Sequence, residues 1–381
     1  MSGLGLVYTT SIWSHHQSPV AFELARLLGD RFHFVVMEPI RDERLRLGWQ
    51  DRVNRPRWVV GPPTNEAERQ SLVRLCLNAD VAAMGYGPIK ERVQAGRLTL
   101  VMGERLLKKR WHSLRMLNPR YAGGILRFRR RAQVGNVHAL AIGHAAPEDL
   151  RRVRAYGDRI YSWGYLVDVN PSPPANRPDR PLRLLWLGRM LRWKRVDLLL
   201  RALQRVQGAS WFGDCRIVGD GPERAHLRRL SQRLGIDTSR ISFLPPVPFE
   251  EVRSLMRDSD VCVLTSSRHE GWGAVSGEAM SEGCLLVANE EAGSARVLVD
   301  DGVTGLLFAD GDVGHLVSQL ECLAGDPFLR DRLRQQAWEQ MQQTWHPRVG
   351  AQRLVALCQA LLDGSPIPDY VSGPCRRLAE E

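Results

Sequence analysis

The chain has 381 residues, 44% of them hydrophobic and 25% charged, with a formal net charge of +11. That length suits two globular cores rather than one, and the composition excludes a disordered, collagenous or disulfide-rich chain. No run reaches the roughly 18 uncharged apolar residues that a bilayer-spanning helix needs, and the seven cysteines are scattered without close pairs, as expected of buried thiols in a reducing cytosol rather than of disulfides or a metal site. Residues 1–10 lack basic side chains and run straight into an apolar pattern, so no secretory leader is expected. Strands are predicted at 4–9, 32–37, 81–84, 98–101 and 137–142, with a helix over 20–28 after the first. Between 105 and 147 there is no Asp or Glu, while Arg105, Lys108, Lys109, Arg110, Arg115, Arg120, Arg127, Arg129, Arg130 and Arg131 all fall there. Trp111, Leu114 and Phe128 interleave with them. A basic, aromatic-bearing segment of this kind suits an anionic membrane surface or nucleic acid; the plainer alternative is a solvated basic face.

Residues 170–181 carry five prolines and no apolar periodicity, which reads as a linker. Beyond it the pattern restarts, with strands at 182–187, 215–218, 241–244, 261–264, 285–288 and 305–308 and helices between them, for example at 196–206 and 223–234. Alternation of this kind, twice over, implies two doubly wound parallel sheets. The expected domains are 1–169 and 182–363, with 364–381 a loosely ordered tail.

The residues that suggest chemistry cluster in the second half. Glu270 and Glu278 bracket Gly271-Trp272-Gly273-Ala274-Val275-Ser276-Gly277, between a strand and the helix that follows. The turn leaves backbone N–H groups of Gly273, Ala274 and Val275 at a helix start, a place that suits a phosphate. Two acids flanking an anion cradle suit a ligand with phosphate in the middle and hydroxyls at both ends, the layout of a sugar nucleotide. Such a pair also arises by chance, with the glycines building a turn and Glu278 a solvated helix residue. Arg189 and Lys194 follow the first strand after the linker and could neutralise a departing diphosphate without a metal. In the turn Gly219-Asp220-Gly221-Pro222-Glu223, Gly219 and Gly221 would let the backbone approach a flat ligand such as a nucleotide base.

Arg189 and Lys194, the turn at 219–223, Phe243-Leu244-Pro245, Ser259-Asp260-Val261, the Glu270/Glu278 pair and Asp301-Gly302-Val303-Thr304-Gly305 occur in that order. Together they resemble the donor-binding domain of the family 4 retaining glycosyltransferases over about 182–362. More weakly, Ser14-His15-His16-Gln17-Ser18-Pro19, Glu38-Pro39, Leu47-Gly48-Trp49, Gly103-Glu104-Arg105 and Trp163-Gly164-Tyr165 are similar to members from bacterial polysaccharide clusters. The resemblance implies an α/β GT-B fold, with two facing Rossmann-like domains and a cleft between them. It implies a metal-independent, retaining transfer of a hexose-type sugar from a UDP- or GDP-linked donor, with no obligatory cofactor.

In that scheme Arg189 and Lys194 hold the diphosphate, with the Gly273, Ala274 and Val275 amides. Glu278 takes the ribose hydroxyls and Glu270 contacts the transferred sugar. The acceptor hydroxyl attacks on the leaving group's own face, and the departing phosphate oxygen takes its proton. His15 or His16 could contact the acceptor or the donor sugar, with His16 the candidate, and Glu104, at a strand end facing the cleft, is a similar one; His138 and His144 are expected to serve structure. Asp258-Ser259-Asp260 spells the metal-binding Asp-x-Asp but precedes its strand, on the wrong side of the sheet. The expected partner is a saccharide acceptor, lipid-linked and met at the cytoplasmic face of an anionic membrane. The alternatives are a soluble acceptor or, from another class, a nucleic acid bound by 105–131; a nucleotide-sugar epimerase fits the Glu270/Glu278 motif set less well.

Overall fold

The computed structural model describes residues 3–46, 55–108, 116–175, 177 and 180–378. The chain divides into two compact units. One gathers most of the chain up to Leu166 together with the segment from Thr344 onward; the other is built from Val167–Gln343.

In the first unit β1 (Leu6–Thr10), β2 (Phe32–Val36), β3 (Val59–Val60), β4 (Val81–Met84), β5 (Leu98–Gly103), β6 (Val137–Ile142) and β7 (Ile160–Trp163) form a parallel sheet. Their order is β3-β2-β1-β4-β5-β6-β7. In the second unit β8 (Leu182–Leu187), β9 (Phe212–Val218), β10 (Ile241–Leu244), β11 (Val261–Leu264), β12 (Leu285–Asn289) and β13 (Leu306–Phe308) repeat the plan, in the order β10-β9-β8-β11-β12-β13. Each sheet starts in its middle, winds outward to one edge, and then fills the other side. The switch points lie between β1 and β4 and between β8 and β11. In sheets wound this way ligands bind beyond the carboxyl ends of the strands near the switch.

The central strands are buried on both faces, which is why they read as apolar runs such as Val81-Ala82-Ala83-Met84. Helix α1 (Ser18–Leu28) starts with Pro19 in its first turn and buries Val20, Ala21, Leu24 and Leu28. In the second unit the helix Val196–Val206 buries Val196, Leu199, Leu200, Leu203 and Val206, spaced three or four apart, against the β8–β9 core. The two strands the periodicity missed are the first sheet's edges. β3 is two residues long, and β7, Ile-Tyr-Ser-Trp, carries no aliphatic run.

The carboxyl-terminal part departs from expectation. The last helix, Pro347–Asp363, packs on α1 in the first unit rather than on the second sheet, and Gly350 lies so close to Leu166 that a Cβ there would fall 2.3 Å from Leu166 Cδ1. After Gly364 in the left-handed conformation (φ +66°) the tail is not loose. Cys375 N–H donates to Ser162 O (2.7 Å), Ser162 N–H to Arg376 O (2.9 Å) and Leu378 N–H to Ile160 O (2.8 Å). The open edge of β7 supplied the pairing partners that the tail's composition gave no hint of. The proline-rich segment is also anchored. Asp260, just before β11, accepts from Arg177 (2.8 Å), Arg180 (3.2 Å) and the Arg183 N–H (2.8 Å), which gives the Asp-x-Asp spelling a structural occupation. Six of the seven cysteines are buried and Cys322 is exposed; all are free thiols.

Candidate functional site

At the end of β8 the chain turns through Gly188 (φ +146°) and presents half-buried Arg189. A single turn, Arg192–Lys194, follows and is tied to the end of β11. The Thr265 hydroxyl donates to Lys194 O (2.6 Å), Ser267 N–H to Trp193 O (2.8 Å) and the Trp186 indole to Thr265 Oγ1 (3.1 Å). This tie aims Lys194 across the switch point, where its ammonium forms an ion pair with Glu270 Oε2; the two side chains are 15% and 14% exposed. At that depth each charge is poorly hydrated alone, so the pair holds both groups in place.

Glu270 stands in the loop after β11. The loop continues through Gly273 (φ +86°) into the short helix Val275–Ser281, whose first bonds include Ser276 N–H to Gly273 O (3.1 Å). The amides of Gly273, Ala274 and Val275 therefore precede the helix's own ladder. Glu278, one turn further, is 8% exposed. Two residues that carried no sequence signal clamp this loop. Gly293 lies so close that a Cβ would fall 1.8 Å from Gly271 O, and Ser294 donates its N–H to Trp272 O (2.8 Å) and its hydroxyl to Ser276 Oγ (2.8 Å). The only hint was that Gly293-Ser294 follows a strand, at the carboxyl end of β12.

Gly219 and Gly221 have a structural reason to be glycine as well. One close approach they permit is to their own chain. A Cβ on Gly219 (φ +137°) would fall 2.0 Å from Gly188 O, and one on Gly221 (φ +154°) 2.6 Å from Met190 O. Met190 N–H donates to Asp220 O (2.8 Å) and Glu223 N–H to Met190 O (3.0 Å). The glycine turn is thus the bed on which the Arg189 loop rests.

In the first unit a separate cluster forms at the carboxyl edge of its sheet. Glu104 directly follows β5 and His16 lies between β1 and α1. Tyr165, two residues past β7, donates its hydroxyl to Glu104 Oε1 (3.1 Å), and Lys108 holds Oε2 (3.3 Å). The rings of His16 and Tyr165 are nearly parallel (17°) with centroids 6.0 Å apart. Burial and the neighbouring Glu104 push the Tyr165 phenol well above its ordinary pKa, so it remains a donor at neutral pH. His138 is a core residue: burial first, then the charge of Arg159, lowers its pKa to about 4.

The basic segment is narrower than its sequence suggests. Arg105 is 7% exposed and pairs with buried Asp149 (3.3 Å), whose other oxygen accepts from Leu107 N–H (2.7 Å). Phe128 packs edge-on against Tyr156 (5.9 Å) and so is not a membrane-facing ring. What remains outward is the helix Pro119–Ala132, with Leu126 (50% exposed) beside exposed Arg127 and Arg130 and half-buried Arg129, and with Leu117 (79% exposed) just ahead of it. Leu47-Gly48-Trp49, Lys109, Arg110, Trp111, Leu114 and Arg115 lie outside the described residues. Among the described residues no helix is long and apolar enough to cross a membrane.

Residues 181–326 match the family model of group 1 glycosyl transferases. That span contains Arg189, Lys194, Gly219, Gly221, Glu270, Gly273, Ala274, Val275 and Glu278. The chain is 34% identical over 216 residues to a D-inositol 3-phosphate glycosyltransferase of Nocardia farcinica, covering 51% of this chain and 46% of the relative. A protein of the same description from Mycobacterium bovis is 33% identical over 144 residues, covering 36% of this chain and 28% of the relative. The chain thus spans less than half the length of these relatives. Among solved structures, Anabaena HepE in complex with UDP superposes with a TM-score of 0.67 at 17% identity, over 92% of this chain and 98% of that one. Sucrose-phosphate synthase of Thermosynechococcus elongatus gives 0.67 at 16%, over 94% and 100%. The α/β fold is that of the GT-B glycosyltransferases, as the resemblance implied.

Proposed function

We propose that the chain is a retaining glycosyltransferase that moves a hexose-type sugar from a nucleotide diphosphate donor to an acceptor hydroxyl on a lipid-linked saccharide of surface-polysaccharide synthesis. The observation that carries this reading is the Lys194–Glu270 ion pair at the switch point of the second sheet, with a helix start and the buried Glu278 following Glu270 in the chain. Arg189, Lys194 and the amides of Gly273 to Val275 receive the diphosphate and neutralise the charge that builds on it as the glycosidic bond breaks. Lys194 is drawn from Glu270 toward phosphate, which leaves the Glu270 carboxylate for the hydroxyls of the sugar. Glu278 takes the ribose hydroxyls. The acceptor hydroxyl attacks on the face the leaving group vacates and passes its proton to the departing phosphate oxygen. Fixed cations supply the charge, so turnover is expected to survive EDTA; complete loss restored by magnesium or manganese would overturn this step.

UDP is the donor base to test first, since the Anabaena neighbour holds it, and D-inositol 3-phosphate is the soluble acceptor to set against a lipid-linked saccharide, since it names the activity of the sequence relatives. The deciding experiment is a donor screen with nucleotide release read by mass spectrometry. Glu278→Ala should weaken binding of bare UDP about tenfold, the scale of a lost charge-assisted hydrogen bond. Glu270→Ala should leave it unchanged or tighter, because Lys194 is freed. Equal weakening in both, measured by calorimetry, would refute the division of labour.

The outward face of the Pro119–Ala132 helix supports a peripheral contact with an anionic leaflet at the inner membrane face. Each basic residue there adds on the order of 1 kcal/mol at low salt. Co-sedimentation with anionic but not neutral vesicles is expected, falling as salt rises. A variant with Arg127, Arg129 and Arg130 changed to Ser should lose it and keep its affinity for UDP. Wild-type protein that ignores anionic vesicles at low salt would favour the soluble acceptor.

A further inference from the structure

β4, β5 and β6 stand between β1 and β7 in the first sheet. Even so, Trp163 at the end of β7 donates its indole N–H to Tyr8 OH on β1 (3.3 Å), and Tyr165 reaches the ring of His16 beyond β1. The segment after β7 therefore doubles back over the carboxyl edge of the sheet. On its way it meets Glu104, beyond β5, through the Tyr165 hydroxyl. One side chain touches both acceptor-side candidates, which come from elements 88 positions apart in the sequence.

We propose that Tyr165 is a positioning residue for the acceptor: its hydroxyl fixes the Glu104 carboxylate while its ring carries His16. The inference rests on the reading that Glu104 and His16 face the acceptor hydroxyl. Tyr165 donates to Oε1 and Lys108 to Oε2, so the carboxylate plane is set from both ends, and each oxygen keeps a lone pair for a substrate hydroxyl. The phenol is not itself a proton donor in the reaction. Its effect is geometric: an acceptor hydroxyl misplaced by about 1 Å can cost as much as 100-fold in rate. The pair selects an acceptor that donates a hydroxyl rather than one that offers only acceptors, because a carboxylate cannot donate. The ring stack adds a second constraint, since the His16 ring meets both Tyr165 and a second imidazole, His15 (3.9 Å between centroids).

The test is UDP release from UDP-glucose, with water and with D-inositol 3-phosphate as acceptor hydroxyls. Tyr165→Phe removes one oxygen and keeps the ring. It should lower kcat about tenfold or more and leave KM for UDP-glucose unchanged. Glu104→Ala should lower kcat at least as far, and Tyr165→Phe added to Glu104→Ala should cost nothing further. If Glu104→Ala alone is silent, the acceptor-side reading falls and this inference with it. If Glu104→Ala is damaging but Tyr165→Phe is silent, or the two effects multiply, the inference alone is overturned. An acceptor-free readout covers the stack. The rate at which diethylpyrocarbonate modifies His16, followed by peptide mass spectrometry, should be unchanged in Tyr165→Phe and several-fold faster in Tyr165→Ala. An unchanged rate in Tyr165→Ala would show that Tyr165 does not carry His16.

Discussion

Replacing Lys194 by Met should lower kcat for sugar transfer about 100-fold, the scale seen when one preorganised charge donor is removed from a reacting oxyanion. Arg189→Ala should lower it about tenfold or more by the same argument. The ion pair with Glu270 makes the test sharper, because it offers a second explanation. Lys194→Met leaves a carboxylate that is only 14% exposed without its cation, and that alone destabilises the site. The double variant Lys194→Met/Glu270→Gln separates the two. Removing both charges should restore the melting temperature toward wild type, since no uncompensated charge remains. It should not restore turnover, since the leaving diphosphate still lacks its cation. If the double variant recovers turnover along with stability, Lys194 serves the fold and the phosphate clamp lies elsewhere.

What could be read from the sequence depended on how local the signal was. Both sheets were legible because central parallel strands are buried on two faces, and Val81–Met84, Val137–Ile142, Leu182–Leu187 and Val261–Leu264 keep the bounds that their apolar patterns predict. β3 was not, because it is two half-buried residues long, and β7 was not, because its buried residues include two aromatics and are broken by Ser162 rather than forming an aliphatic run. The course of the last 38 residues was missed for a different reason. The helix Pro347–Asp363 is amphipathic wherever it packs, and nothing local says which sheet's unit it joins. The tail is held by backbone bonds to Ile160 and Ser162, which leave no mark on side-chain composition.

The same divide runs through the candidate site. Arg189, Lys194, Glu270 and the helix start were legible because each sits at the carboxyl end of a strand that could itself be read. Gly293 and Ser294 were not, because their work is to brace a loop from a neighbouring strand end, a relation that only the folded sheet creates. Arg105 shows the opposite error. A run without acids looked like a continuous basic surface, but Asp149, 44 residues away, buries one of its charges. Tyr165 was visible only as part of a motif; that it bridges Glu104 and His16 follows from the chain doubling back after β7.

The substitution with the largest expected effect on stability is Gly219→Ala, and three glycines together show why. Gly302 has φ +76° and nothing within 4 Å of a built Cβ, so Ala there meets only the backbone cost. That cost is about 1–2 kcal/mol. Gly208 also has open space around a built Cβ and its φ is not positive, so Ala there should be tolerated or mildly stabilising. Gly219 carries both penalties, a φ of +137° and a carbonyl oxygen 2.0 Å from the new methyl. The oxygen belongs to Gly188, on backbone that cannot rotate aside as a side chain would. A combined cost of at least about 3 kcal/mol is expected, and at about 2–4 °C per kcal/mol for a unit of this size the melting temperature should fall by about 6–12 °C. Gly302→Ala should lose about one to two thirds of that by the same conversion. The folded fraction of Gly219→Ala should also transfer sugar slowly, because the Gly188 turn that must shift is the one that aims Arg189. Differential scanning calorimetry of the three variants checks the ranking. A melting temperature for Gly219→Ala within 2 °C of wild type would mean that the two loops are not in contact as described, and the donor site would then need a different floor.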